Sequence, residues 1–266
     1  MVEKKYKLTK ETINIINRTL HRIEALRDFG DVKKGDKGGF VENESNLSQN
    51  GNCWIYDNAK VYCNAKVCSN AKVCNSAAVF DNAIIYDNVA VYDYAGVSGN
   101  AEIYGNARIY GDTFVHDNAK VLDNAAVYGN AEIYGNARLC DNTEVYDNAR
   151  VCDNAEVFGN IKIYGDARVC SNAIICGNAI ITSNSDYIVF KNWWSSGRSF
   201  TWTRSNNMWR VGCFYGTGKQ LIEKAYKDSE LSGREYKRVV DYVNLIIQEQ
   251  NIKERLLSKI RKLFGR

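Results

Sequence analysis

The chain has 266 residues, 45% of them hydrophobic and 25% charged, which supports one or two packed domains and excludes a chain disordered throughout. A net charge of +4 is too mild for a uniformly basic nucleic-acid binder, so any such role rests on a local surplus. Met1 to Leu8 is charged and no apolar run approaches the ~18 residues of a membrane span; neither a signal peptide nor a membrane span is expected, and a cytoplasmic location is.

The first segment, residues 1–50, contains Arg22–Phe29 and Val32–Val41, with His21 at a half-exposed strand position. Between them, Gly30 to Lys37 has the outer glycine spacing of a phosphate-binding loop. Asp36 stands where that loop needs lysine, and no Ser or Thr follows, so the stretch is a turn.

From Ile55 to Ile181 an aliphatic residue recurs every six positions in all 22 hexads, without insertion or deletion. Four residues after each aliphatic stands a small one, Ala in 17 of 22, preceded by Asn in 18 of 22 and, before that, mostly Asp or Gly. A period of six is incompatible with an α-helix, whose apolar stripe recurs at 3.6. The unit is a short strand and a corner. Ala and the aliphatic two residues later face inward, the alternate residues face out, and the Asp/Gly–Asn pair supplies residue types that tolerate positive φ. Strands this short are stable only when coils stack. The absence of proline suits a chain in which most backbone donors enter a ladder.

The pattern in Val127-Tyr128-Gly129-Asn130-Ala131-Glu132 resembles the hexapeptide repeat of left-handed parallel β-helix proteins of bacteria and phages, and Arg22–Val41 resembles their N-terminal cap. The resemblance implies a mainly-β fold in which three hexads close one triangular coil, giving about seven coils and a prism roughly 35 Å tall. Such proteins are often labelled acyltransferases. Those that are enzymes are typically trimers that take an acyl-CoA donor and use a histidine base in an intersubunit cleft, often beside a loop thrown out from the helix. Here no loop interrupts the hexads, and only His21 and His116 exist; His116, in an outward slot, is the candidate base under that reading.

With three hexads per coil, residues eighteen apart stack. One outward row then contains Tyr92, Tyr110, Tyr128, Tyr146 and Tyr164 in succession, a candidate binding or self-association surface. The other rows are mixed: Tyr62, Phe80, Ser98, His116, Tyr134, Cys152, Cys170, and Cys68, Tyr86, Tyr104, Leu122, Cys140, Phe158, Cys176. Charges alternate in sign along neighbouring rows, as in Glu102, Lys120, Arg138, Glu156, and act as register devices rather than a one-sign stripe for nucleic acid. Most of the nine cysteines occupy the slot tyrosine fills elsewhere; Cys68 and Cys74 are six apart and the histidines distant, so no metal site is expected.

After residue 186 the character changes. Tyr187–Phe190, Ser199–Thr203 and Met208–Tyr215 are predicted strands, with Trp193, Trp194, Trp202 and Trp209 crowded among them as a miniature core, Trp193 and Trp194 doubling as candidate binding residues. This unit, 187–230, ends in a helix capped by Thr217; a longer helix from about Arg234 occupies 231–266. Its tail sets Ile252, Leu256, Ile260, Leu263 and Phe264 on one face, ringed by Lys253, Arg255, Lys259, Arg261 and Lys262. The expected domains are thus a cap (1–50), a β-helix (51–186), an aromatic β-sheet unit (187–230) and C-terminal helices (231–266), forming a small α+β end to a β-helical chain. The leading expectation is a non-enzymatic scaffold or protein-interaction module, homo-oligomeric, without cofactor, possessing the character of a phage-encoded accessory or host-interaction factor. The trimeric acyltransferase is its first alternative, and nucleic-acid binding through the basic tail its second.

Overall fold

The computed structural model describes residues 4–194 and 197–264. Two compact units divide the chain, one of Met1–Val189 with Thr203–Asn206, the other of Phe190–Trp202 with Asn207–Arg266.

The first unit is a β-solenoid. Each inward aliphatic pairs in parallel with the one eighteen residues on, as Val91 with Ile109 and Ile109 with Val127, so three hexads make a coil with three flat faces. The Ala and aliphatic columns are sealed from solvent, which places the alternation where the sequence put it. One face carries eight rungs from Trp54–Ile55 to Ile180–Ile181; a second carries seven from Lys66–Val67, extended at the start by a bridge from Leu47. The third begins with the cap strands.

Those strands are β1 (Tyr6–Ile15), β2 (Arg18–Ala25) and β3 (Lys37–Val41). β1 and β2 form an antiparallel hairpin, β3 pairs antiparallel with β2, and on its other side β3 pairs in parallel with Lys60–Val61. The solenoid therefore starts on Val41 and Leu47, earlier than the first regular hexad, and makes about eight turns where hexad counting alone gives seven. Trp54, in the first rung of the eight-rung face, is buried under the cap, packed edge-on to Tyr6 and Phe29. Lys5 is fully buried there; its ammonium donates to the Cys53 carbonyl at 2.9 Å and the Gly51 carbonyl at 3.3 Å, and burial lowers its pKa.

The corners divide labour in a way composition does not show. Positive φ falls on the residue before Asn: Asp57, Asp81, Asp117, Asp153 and their glycine equivalents. Those aspartates also accept the corner amide of the next coil, as Asp57 Oδ2 does from Asn75 N at 3.0 Å and Asp153 Oδ2 from Ser171 N at 2.9 Å. Asn instead builds amide ladders, Nδ2 donating to Oδ1 eighteen residues on; one runs through Asn64, Asn82, Asn100, Asn118, Asn136, Asn154 and Asn172 at 3.0–3.2 Å.

The inward small columns are unequal. The column of Ala65, Ala83, Ala101, Ala119, Ala137, Ala155 and Ala173 is all alanine and sealed, whereas that of Ala71, Ala107 and Ala125 also takes in Val89, Thr143 and Ile161. Ala119→Ile is expected to destabilise the solenoid by about 2–3 kcal/mol through overpacking, and Ala125→Val by under about 1 kcal/mol. Urea midpoints would check this, equal losses at both positions being the contrary result.

The C-terminal sheet has four strands where three were expected. Tyr187–Lys191, Ser199–Thr203, Met208–Val211 and Phe214–Gly216 lie side by side in chain order, the expected last strand folding back at Gly212, whose φ is +55°. Helix α1 (Gly218–Asp228) is capped by the expected Thr217, in a box with Gln220. Helix α2 spans Glu230–Phe264, beginning before the expected Arg234, and crosses α1 where Gly233 admits the Tyr226 ring.

Candidate functional site

The tyrosine row forms on the face with eight rungs. Tyr92, Tyr110, Tyr128, Tyr146 and Tyr164 follow the inward aliphatics of consecutive coils, and in-register pairing sets successive rings one rung apart. Centroids are 4.8–4.9 Å apart and ring planes agree within 7°. Each ring is half-buried by its neighbours and shows an edge to solvent. Burial, and next to it the Glu144 carboxylate 3.3 Å from the hydroxyl, push Tyr128 well above the usual phenol range, so it stays a neutral donor. At the head of this row, Tyr56 donates to Asp31, which also takes Lys72 at 2.9 Å.

His116 lies on the cap face. Its ring stacks on Tyr134, with centroids 5.2 Å apart and planes 1° apart, and tilts against Phe114 at 4.7 Å. Both ring nitrogens face carboxylates: Nδ1 is 3.3 Å from Asp117 and Nε2 3.5 Å from Glu132. Glu132 is shared with Arg150 at 3.1 Å. A general base keeps one nitrogen toward its substrate and orients through the other. Here each nitrogen has a protein partner, an arrangement that holds the ring in its stack. His21 sits on β2, half-buried, with Nδ1 3.2 Å from the Thr9 carbonyl.

The tryptophans divide. Trp202 and Trp209 are core at 1% and 2% exposure, Trp194 is half-buried against Phe200 and Tyr236, and Trp193 is 79% exposed. The basic residues Lys253, Arg255, Lys259, Arg261 and Lys262 lie on the exposed last turns of α2, and Ile252, Leu256 and Ile260 are exposed beside them. The side chains of Leu263 and Phe264 fall outside the described residues. No helix among the described residues is long and apolar enough to cross a membrane.

The structure also gathers polar residues around one pair of stacked cysteines. Cys152 and Cys170 are register partners on adjacent coils, with Tyr134 and Arg168 at the first and Tyr187 at the second. The Tyr134 hydroxyl accepts from Arg168 at 3.2 Å, and the Cys152 sulfur beside that guanidinium raises its pKa. Listing every eighteenth residue already sets Cys152 over Cys170; what it omits is that Arg168, from the neighbouring row, turns toward them.

The repeat matches a known type. Residues 101–117 match the YdcK β-solenoid repeat. A 41-residue stretch of the chain is 51% identical to an Escherichia coli protein described as "Uncharacterized acetyltransferase YdcK", a match covering 15% of this chain and 13% of that protein. The matched family repeat is one coil, Ala101 to Asp117, and includes His116. The chain is a β-solenoid whose likeness to the YdcK repeat covers residues 101–117, and its likeness to the E. coli protein is confined to that small share of each.

Proposed function

We propose that this protein is a rigid β-solenoid scaffold whose tyrosine-laddered face associates with protein, in the first instance with a second copy of the chain. The observation that carries the reading is the ladder itself: five consecutive tyrosines held in register by the backbone. Such a row offers stiff amphipathic area already ordered before binding, so little side-chain entropy is lost on contact. In the second unit, a cavity lined by Arg198, Val211, Phe214, Leu221 and Tyr236 has a volume of about 60 Å³, space for water rather than for a substrate.

Light scattering on the size-exclusion peak tests this. The wild-type chain is expected to run as a dimer or larger, and Tyr110→Ser/Tyr146→Ser as a monomer with a melting temperature within a few degrees of wild type. A wild-type monomer at every concentration, or a variant that keeps the wild-type mass, would remove the self-association reading.

The acetyltransferase description of the E. coli relative favours a second reading, with His116 as base and the groove lined by Arg150, Arg168, Asn148 and Asp166 taking an anionic donor. Under the scaffold reading, calorimetry with acetyl-CoA gives no saturable heat. Saturable binding, together with an acetyl transfer lost in His116→Ala, would replace it.

A further inference from the structure

We propose that Cys152, Cys170 and Asp153 form a site for one thiophilic divalent cation of the zinc class, bridging two adjacent coils. Their ligand atoms lie within 4.8 Å of one another, with Cys152 buried, Cys170 half-buried and Asp153 exposed. The ion enters from the Asp153 side.

Register decides what the two sulfurs can do together. Arg150 pairs with Arg168 and Val151 with Val169, so the cysteines that follow stand directly over one another in a parallel ladder. Parallel rungs keep equivalent β carbons about 4.8 Å apart, whereas a disulfide draws them to about 3.8 Å. A tetrahedral ion with metal–sulfur bonds of about 2.3 Å instead spans sulfurs about 3.8 Å apart, which side-chain rotation alone supplies. The paired thiols suit a bridging ion better than a bond to each other.

The surroundings fit two thiolates. Arg168 lies against the Cys152 sulfur and is itself held by the Tyr134 hydroxyl at 3.2 Å. The Tyr187 hydroxyl lies 3.9 Å from the Cys170 sulfur and accepts the Cys170 amide at 3.2 Å. Two thiolates and a carboxylate carry three negative charges, which one divalent cation and the Arg168 guanidinium balance. Asp153 is fixed by its bond from Ser171 N at 2.9 Å. A second close grouping among the described residues, Asp123, Cys140 and Asp141, has a single thiol between carboxylates and lacks the soft pair, which makes it the internal control.

The test uses the full reduced chain, titrated anaerobically with Cd²⁺ and followed by thiolate-to-cadmium absorption in the ultraviolet. One equivalent is expected to bind, with Zn²⁺ competing. Cys152→Ser or Cys170→Ser should weaken binding at least about 100-fold, Asp153→Asn about tenfold, and Cys140→Ser should change nothing. Serine already stands in this row at Ser98, and the variants' metal-free melting curves establish that they fold. Saturating Cd²⁺ should also protect Cys170 of the wild-type chain from maleimide while leaving the exposed Cys213 reactive. The proposal is overturned by the lack of a stoichiometric band, by wild-type affinity in Cys152→Ser/Cys170→Ser, by loss of binding in Cys140→Ser, or by unprotected Cys170.

Discussion

Excising residues 119–136 is expected to leave a chain that still unfolds in one cooperative transition, whereas excising residues 119–121 is expected to abolish it. The longer cut removes one coil and rejoins Asn118 to Ala137, which fills on the next coil the slot that Ala119 fills after Asn118. Tyr110 then stacks on Tyr146, Arg108 faces Glu144, and the Asn ladder runs from Asn118 to Asn154. Because coil stability is close to a sum of nearest-neighbour terms, the loss is about one coil's share and a fall of a few degrees in melting temperature. The shorter cut breaks phase. Held in register with the coil before the cut, Asn124 and Asn130 move to inward aliphatic slots and Tyr128 to an inward alanine slot, and the hexads that follow in that register turn further asparagines inward. A buried unpaired amide costs about 1–3 kcal/mol, so a handful of them exceeds the ~5–15 kcal/mol that stabilises a domain. Circular dichroism melts of the two deletions decide the matter; similar behaviour would mean that the 18-residue register does not control stability.

Gly39→Ala is expected to cost about 3 kcal/mol or more, although it adds one methyl. A β carbon at Gly39 would lie 2.4 Å from the Ala59 carbonyl oxygen and 2.5 Å from Ile55 Cγ2. The carbonyl is backbone in the first rung and has no rotamer to escape into; it already accepts the Phe40 amide at 2.9 Å. Either β3 leaves the solenoid or the rung shifts, and both uncover the buried Trp54. A denaturant midpoint close to wild type would show that the junction yields more easily than this geometry implies.

The solenoid was legible because its information is periodic. Twenty-two aliphatics in one phase fix the inward column, and the step of eighteen assembles the tyrosine row without any coordinates. What was hidden is local. Val41 and Leu47 are six apart, but Ile55 follows Leu47 by eight; two extra residues between Leu47 and Gly51, which already lies over Ser69 eighteen residues on, mask the first coil from a search for uninterrupted hexads. Lys5 looks like surface charge until the cap folds onto the first coil, where the Gly51 and Cys53 carbonyls accept its ammonium. The corner residue with positive φ was ambiguous since Asp, Gly and Asn all tolerate that region, and only the ladder geometry assigns Asn to stacking instead. For the candidate site, His116 was found by its type, but the carboxylates on both of its nitrogens come from the next residue and the next coil. Metal ligation was weighed at Cys68 and Cys74, six apart, whereas the cysteines that neighbour one another in this fold, Cys152 and Cys170, are eighteen apart.

That same spacing makes length an adjustable quantity. Since Asn, Asp and the inward aliphatic each bond or pack to their own counterparts one coil away, a duplication of eighteen codons inserts a finished layer and a deletion removes one, with the joints on either side unchanged. Solenoid height can change only in steps of about 4.8 Å, the rung spacing. The molecule is in effect a graduated ruler, whose scale is written in the gene as a tandem repeat and is open to unequal recombination.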